Sequence, residues 1–245
     1  MEQFSNSSSS TEVRVGPLLS KTLSIVFGTP HIFLGIPLLA LIPGVALAFL
    51  GAALTMATGV FGTIVIFLAL LLCILMMFAA QGATTYAVYR ILLGDRPTIR
   101  ESFSKGMSHI GTLFFASILL SLGIGLGFVL LIIPGVILAC MWAVTVPACV
   151  VEGRGAIDGI QRSAELTKGY RWSILGIQVL LYLLVIVLNM ISQVLAFIPF
   201  LGAILAFLLA LIPSGLFSAA CALLYYNLLA AKEGITVESL ANVFD

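Results

Sequence analysis

The sequence predicts an all-α polytopic membrane protein: six transmembrane helices arranged as three hairpins, each preceded by a cytoplasmic interfacial amphipathic helix. Three observations predict it. The first is composition: of 245 residues, 61% are hydrophobic and only 9% are charged, against about 25% charged in an ordinary soluble domain. With a mean hydropathy of +1.22, the chain has too few polar side chains to cover a soluble surface. It is also far too apolar for a disordered tail and lacks the periods of collagen or a coiled coil. The second observation is where charge is missing: residues 22–89, 106–151 and 172–231 contain no Asp, Glu, Lys or Arg. A helix crossing a bilayer takes about 20 apolar residues, so each run holds two spans and a turn. The third is that all 11 Lys and Arg lie between these runs or at the chain ends. Paired spans put every charged segment on one face, and basic residues are retained in the cytoplasm. Both termini are therefore expected inside.

Taken in order, residues 1–13 are polar, Ser-rich and carry Glu2 and Glu12. They read as a disordered cytoplasmic tail ahead of a single six-span membrane domain over 14–245. The first apolar run is too long for a signal peptide, and neither end carries a lipidation motif. The spans are placed at 31–54, 61–89, 109–132, 135–151, 172–197 and 201–230. Ile133-Pro134-Gly135 and Ile198-Pro199 read as the turns of the second and third hairpins, because proline cannot continue a helix and glycine accepts the reversal. Pro43, Pro147 and Pro213 are expected to kink the first, fourth and sixth spans.

The charged segments have helical periodicity of their own. Ile99, Phe103, Met107 and Ile110 form one apolar stripe opposite Arg100, Glu101, Ser104 and Lys105. Thr98 to Glu101 fits a capping box. Ile157, Ile160 and Ala164 repeat the stripe before the third hairpin, and Leu19, Leu23, Val26 and Phe27 before the first. Val237, Leu240, Ala241 and Phe244 do so once more at the end of the chain. Such helices lie in the headgroup plane with basic residues towards anionic lipid.

In two of these segments the residues resemble a known family. Ile133-Pro134-Gly135-Val136, Trp142, Pro147, Val151-Glu152, Ala156, Arg162-Ser163, Leu166-Thr167-Lys168-Gly169 and Trp172 are similar to the signature of the glycerophosphoryl diester phosphodiesterase membrane-domain family. Gly94-Asp95-Arg96-Pro97-Thr98 with Glu101-Ser102-Phe103 and Gly106 resembles its first cytoplasmic segment. The resemblance spans roughly 85–230. It implies a bacterial cytoplasmic (inner) membrane protein of the stand-alone type, without a catalytic domain.

The residues themselves offer little for catalysis. A phosphodiesterase needs carboxylates and histidines around a metal, with acid–base groups, whereas His31 and His109 stand far apart with no carboxylate cluster. Cys73, Cys140, Cys149 and Cys221 lie in apolar runs without Cys-x-x-Cys spacing, which points to packing and not to a zinc site or disulfide framework. No enzyme activity and no cofactor is expected. A net charge of +1 makes nucleic acid an unsuitable partner. Gly123, Gly125 and Gly127 allow close helix approach.

Two groups of residues are candidates for function. Glu152, Arg162, Lys168 and Arg171, with Tyr170 and Trp172 as interfacial anchors, are candidates for binding lipid headgroups or a partner protein. Gln178, Asn189 and Gln193 are candidates for an intramembrane polar cluster, among further polar groups at depth that include Gln81, Ser121 and Ser218. The leading reading is a non-enzymatic membrane protein whose cytoplasmic helices engage headgroups or a partner. The alternative is a transporter or permease for a neutral solute or lipid, since ionisable residues that hold ions or protons at depth are lacking. An intramembrane lipid-modifying enzyme is a third option, for which acid–base groups are missing. The two main readings differ in whether the polar residues at depth converge on one cavity.

Overall fold

The computed structural model describes residues 15–234. The N-terminal tail and the last amphipathic segment from Val237 lie outside the described residues. Those described form ten helices: α1 Val15–Gly28, α2 Pro30–Thr58, α3 Val60–Leu92, α4 Ile99–Ser108, α5 Ile110–Leu130, α6 Ile132–Met141, α7 Thr145–Val151, α8 Ala156–Thr167, α9 Arg171–Ala196 and α10 Leu201–Glu233. Six segments are long and apolar enough to cross a membrane, supplied by α2, α3, α5, α6 with α7, α9 and α10. The chain is an all-α polytopic membrane protein.

Helices α2 and α3 pack together, as do α5 with α6 and α9 with α10. Gly59, at φ 57°, turns the chain between α2 and α3, a backbone state that a Cβ disfavours. The reversal between α5 and α6 falls on Leu131, which is fully extended at φ −163°, and not on Ile133-Pro134-Gly135. Pro134 sits in the first turn of α6, where its missing N–H costs nothing. Gly135 acts by close approach instead, since a Cβ on Gly127 would stand 2.9 Å from the Gly135 Cα.

Proline has different effects in three spans. α2 and α10 run through Pro43 and Pro213 without interruption. The fourth span is broken outright over residues 142–144 and resumes as α7 at Thr145. Pro147 has no N–H to give to the carbonyl four residues back, so the helix restarts where Pro147 occupies its first turn.

The three hairpins are joined most extensively near the charged end. There α10 is central: Leu216, Ala219, Ala222, Leu223, Leu224 and Leu228 are buried against α1, α2, α3 and α7. Towards the other end each hairpin packs on itself. A Cβ on Gly62 of α3 would meet the Thr55 backbone of α2, and one on Gly202 of α10 would meet Leu195 of α9. Ser192 Oγ donates to the Ala206 carbonyl at 2.9 Å, again within one hairpin. The faces turned away from these contacts are apolar and exposed, among them Phe67, Leu126, Ile186 and Ile204, as suits a surface bathed in lipid.

The short helices turn part of the hydropathy stripe to the bundle, with Leu19, Leu23, Val26, Ile99 and Phe103 packed against the core, but their most buried positions include small and polar residues that the stripe does not pick out. Helix α4 buries Ser102 and Gly106, and α8 buries Gly159, Ser163, Leu166 and Thr167. α1 buries Leu18, Thr22 and Val26. The stripe residues Ile157 and Phe27 stay exposed. Close approach selects small side chains: a Cβ on Gly106 would lie 2.1 Å from the Ala79 carbonyl oxygen. The capping box of α4 is half formed. The Thr98 hydroxyl accepts from Glu101 N–H at 3.2 Å, but the Glu101 carboxylate accepts from Tyr86 O–H at 2.9 Å and does not reach back.

Candidate functional site

Two polar constellations lie where helices from different hairpins meet. The first sits at the charged end. Glu152 follows α7 directly, at the carbonyl end of that helix, where a carboxylate is disfavoured by the helix dipole and gathers cationic and O–H donors. Gly153, at φ 63°, then reverses the chain into α8. Glu152 accepts from Arg162 Nε at 2.9 Å, from Arg154 Nε and from the hydroxyl of the buried Tyr225 on α10. Arg162 also forks onto Glu233 at the end of α10, at 2.6 and 2.9 Å. Lys232 Nζ donates to the Glu165 carbonyl. Burial acts to raise the Glu152 pKa, but the hydrogen bonds from Tyr225, Arg162 and Arg154, with the Arg162 charge, hold it below the usual carboxylate value. Glu233 and then Glu152 hold the Arg162 guanidinium more firmly protonated, against an opposing effect of burial.

Next to this network α8 closes the break in the fourth span. Interrupting a helix frees backbone groups that need partners at membrane depth. Ser163 Oγ and Thr167 Oγ1 each donate to the Met141 carbonyl at 3.0 Å, and Ser163 Oγ accepts from Val144 N–H at 3.2 Å. Gly159 lets α8 come close enough, since a Cβ there would stand 2.4 Å from Cys149 Sγ.

The second constellation is a cavity of about 340 Å³ between α3, α5, α9, α10 and the broken span, within the range of small-ligand sites. Trp142, in the break, forms one wall and is seated on Gly123 of α5, where a Cβ would lie 2.5 Å from its ring. Gln81, Thr85, Ser117, Ser121, Gln178 and Ser218 bring polar groups to a mostly apolar lining. Three of these are committed to the protein: Thr85 to the Gln81 carbonyl, Ser121 to the Ile118 carbonyl, and Gln178 Nε2 to the Ala139 carbonyl at 3.3 Å. The side chains of Gln81, Ser117 and Ser218 have no protein hydrogen-bond partner among the described residues. No Asp, Glu, Lys, Arg or His lines the cavity.

The sequence candidates divide accordingly. Glu152 and Arg162 come together, but as each other's partners. Among the described residues Arg162 pairs with Glu152 and Glu233, not with Glu165 one turn away. Lys168 and Arg171 are exposed on either side of the turn at Gly169, next to an exposed Trp172. Gln178 reaches the cavity, whereas Asn189 and Gln193 are exposed further along α9, and Asn189 Nδ2 donates to the Val185 carbonyl of its own helix at 2.8 Å. The three do not form one cluster. His109 joins α4 to α5, with Nδ1 3.0 Å from the Lys105 carbonyl oxygen.

Sequence reasoning did not single out Tyr225, Glu233 or Ser117, and it named Ser163 and Thr167 only within the family signature, with no role. Tyr225 and Glu233 act across sequence separations of 73 and 71 residues, which no local pattern records. The break at Pro147 was the available signal for Ser163 and Thr167, because a broken span needs side-chain donors nearby. No family model matches the chain, and no curated protein and no solved structure matches it.

Proposed function

We propose that this chain is a non-enzymatic permease-type or lipid-handling protein that takes an uncharged ligand into the cavity beside the broken span. One observation carries the reading: polar side chains at membrane depth on α3, α5, α9 and α10 converge on a single cavity. Polar groups that served helix packing alone would be satisfied between helix pairs, yet Gln81, Ser117 and Ser218 face the space without a partner among the described residues. A span broken at mid-depth is the usual way to place backbone and polar groups beside a membrane-embedded site. Tolerating it here takes Ser163 and Thr167 of α8. The lining supplies neither an acid–base pair nor a charged group, so binding and passage suit it better than bond cleavage.

In this reading the protein resides in a bacterial cytoplasmic membrane, in keeping with the resemblance to the phosphodiesterase membrane-domain family. All described basic residues outside the spans face the cytoplasm, and both termini are cytoplasmic. Lys168, Arg171 and Trp172 are exposed at one corner of the charged end and contact anionic headgroups there, as an anchor. Arg162 has no part in that contact, since Glu152 and Glu233 occupy its donors. The test is transbilayer movement in reconstituted vesicles, using fluorescent neutral lipids and trapped neutral solutes. Protein-dependent movement that drops in Gln178→Leu supports the reading. Movement equal to that in protein-free vesicles across both classes counts against it.

A further inference from the structure

The cavity has one closed side and one open side, and the difference points to a ligand class. Towards the charged end it is sealed by Leu113, Val144, Ile174 and Leu224, all at most 2% exposed. Towards the other end its lining finishes at Ile124 on α5 and Tyr182 on α9, and Tyr182 is 57% exposed beside the exposed apolar Val179, Leu183 and Ile186. The opening therefore leads onto apolar surface at membrane depth and not towards the charged aqueous face.

We infer that the cavity is the head-group site for an uncharged, hydroxyl-bearing membrane lipid that enters from the leaflet opposite the charged end. This deepens the reading of the cavity as a ligand site and rests on it. The lining carries no charge, and an ionised phosphate or ammonium taken there would lose hydration without gaining a counter-ion. The free polar groups ask for a partner that both donates and accepts. The Gln81 carboxamide offers two N–H donors and a carbonyl acceptor, and the Ser117 and Ser218 hydroxyls offer one donor each with lone pairs to spare. Ser218 is only 5% exposed, and the surface it keeps is on the cavity side. An alcohol or partial glyceride meets that demand. A space of about 340 Å³ admits such a head with its first methylenes but not the tails. The tails leave through the opening onto the exposed apolar face of α9 around Val179, Leu183 and Ile186. A small polar solute gains nothing from that exit, whereas an amphiphile needs it.

Photo-crosslinking of the full-length protein tests this in vesicles of phosphatidylethanolamine and phosphatidylglycerol. The probe is a diacylglycerol, the simplest hydroxyl-headed bilayer lipid, with a diazirine at mid-chain, compared with a phosphatidylglycerol carrying the same chain. The diacylglycerol is expected to label peptides of α5 and α9 at the opening, with yield falling about tenfold in Gln81→Leu with Ser218→Ala, the loss that about 1.4 kcal/mol of binding produces. Ser117→Ala alone, which removes a single hydroxyl, is expected to lower it about threefold. Equal labelling by both probes at α5 and α9, or diacylglycerol labelling unchanged in Ser117→Ala and in the double variant, overturns the inference. Solute movement that depends on Gln178 without lipid labelling would overturn it while leaving the permease reading intact. Absence of both labelling and movement would remove the two together.

Discussion

Tyr225 on α10 donates its hydroxyl hydrogen to Glu152 at the end of α7, joining the third hairpin to the second across 73 residues of chain. The first hairpin has a counterpart, with Tyr86 of α3 donating to Glu101 of α4 at 2.9 Å and Arg90 near both Asp95 and Glu101. In each case a tyrosine at the charged end of a long span reaches a carboxylate in or next to a charged segment, the following one for Tyr86 and an earlier one for Tyr225. An arginine balances that carboxylate. These contacts fasten the hairpins at the charged end.

Removing Glu152 should loosen that fastening. The side chains of Glu152 and Arg162 are 12% and 16% exposed, between the regime of surface pairs, worth about 0–1 kcal/mol, and that of fully buried pairs, whose disruption costs about 3–5 kcal/mol. Glu152→Gln is expected to destabilise by about 2–3 kcal/mol on that scale. Tyr225→Phe should cost about 1.5 kcal/mol, as one hydrogen bond to a charged group. Thermal unfolding in one detergent, with the double variant to extract the coupling, checks both.

The same carboxylate sets a pH dependence. Its folded pKa lies below its unfolded value, so the stabilisation is fully present above the unfolded carboxylate range near 4.3. It is lost as pH falls through the depressed folded value. The difference in melting temperature between the native protein and Glu152→Gln should therefore be constant from neutral pH down to about 5 and shrink below about 4. A difference that shrinks already at pH 6 would contradict the assignment.

Glycines on the short helices should separate from those facing open space. Gly106→Ala puts a methyl 2.1 Å from the Ala79 carbonyl oxygen and is expected to cost about 1–3 kcal/mol through overpacking. Gly125→Ala, in α5 with nothing within 4 Å, should instead stabilise by roughly 0.5–1 kcal/mol. Comparing the two melting temperatures decides whether α4 is held by close packing or lies loosely on the bundle.

Ser163→Ala leaves Val144 N–H without its hydroxyl acceptor and takes one donor from the Met141 carbonyl. A loss of about 1–3 kcal/mol is expected from an unsatisfied buried group. Hydrogen exchange should rise locally over residues 142–148 before it rises elsewhere.

Much of the fold was legible because lipid imposes a coarse rule on sequence. Runs of charge-free residues marked all six spans to within a few positions, and Pro147 marked a disturbance in the fourth. What escaped was decided by proximity. The bundle-facing sides of α4 and α8 are set by how close Gly106 and Gly159 come to their neighbours, while the hydropathy stripe selects Ile157, which stays exposed. Gln178 and Asn189 look alike in sequence, yet one lines a cavity and the other bonds to its own helix. Arg162 looked free to meet a phosphate because its partner Glu233 is 71 residues away.

Sidedness has its own test. Cysteine introduced at exposed Lys168 should react with a membrane-impermeant maleimide only after the cell membrane is opened, and cysteine at Gly59, in the α2–α3 turn, in intact spheroplasts. The reverse pattern would invert the topology.

The measurement closest to the central claim is native mass spectrometry of the protein released gently from its own membrane. A bound neutral lipid is predicted, retained in Lys168→Ala with Arg171→Ala and lost in Gln81→Leu with Ser218→Ala. An anionic lipid retained in the cavity variant and lost in the basic one would contradict the account and make the charged corner the binding site.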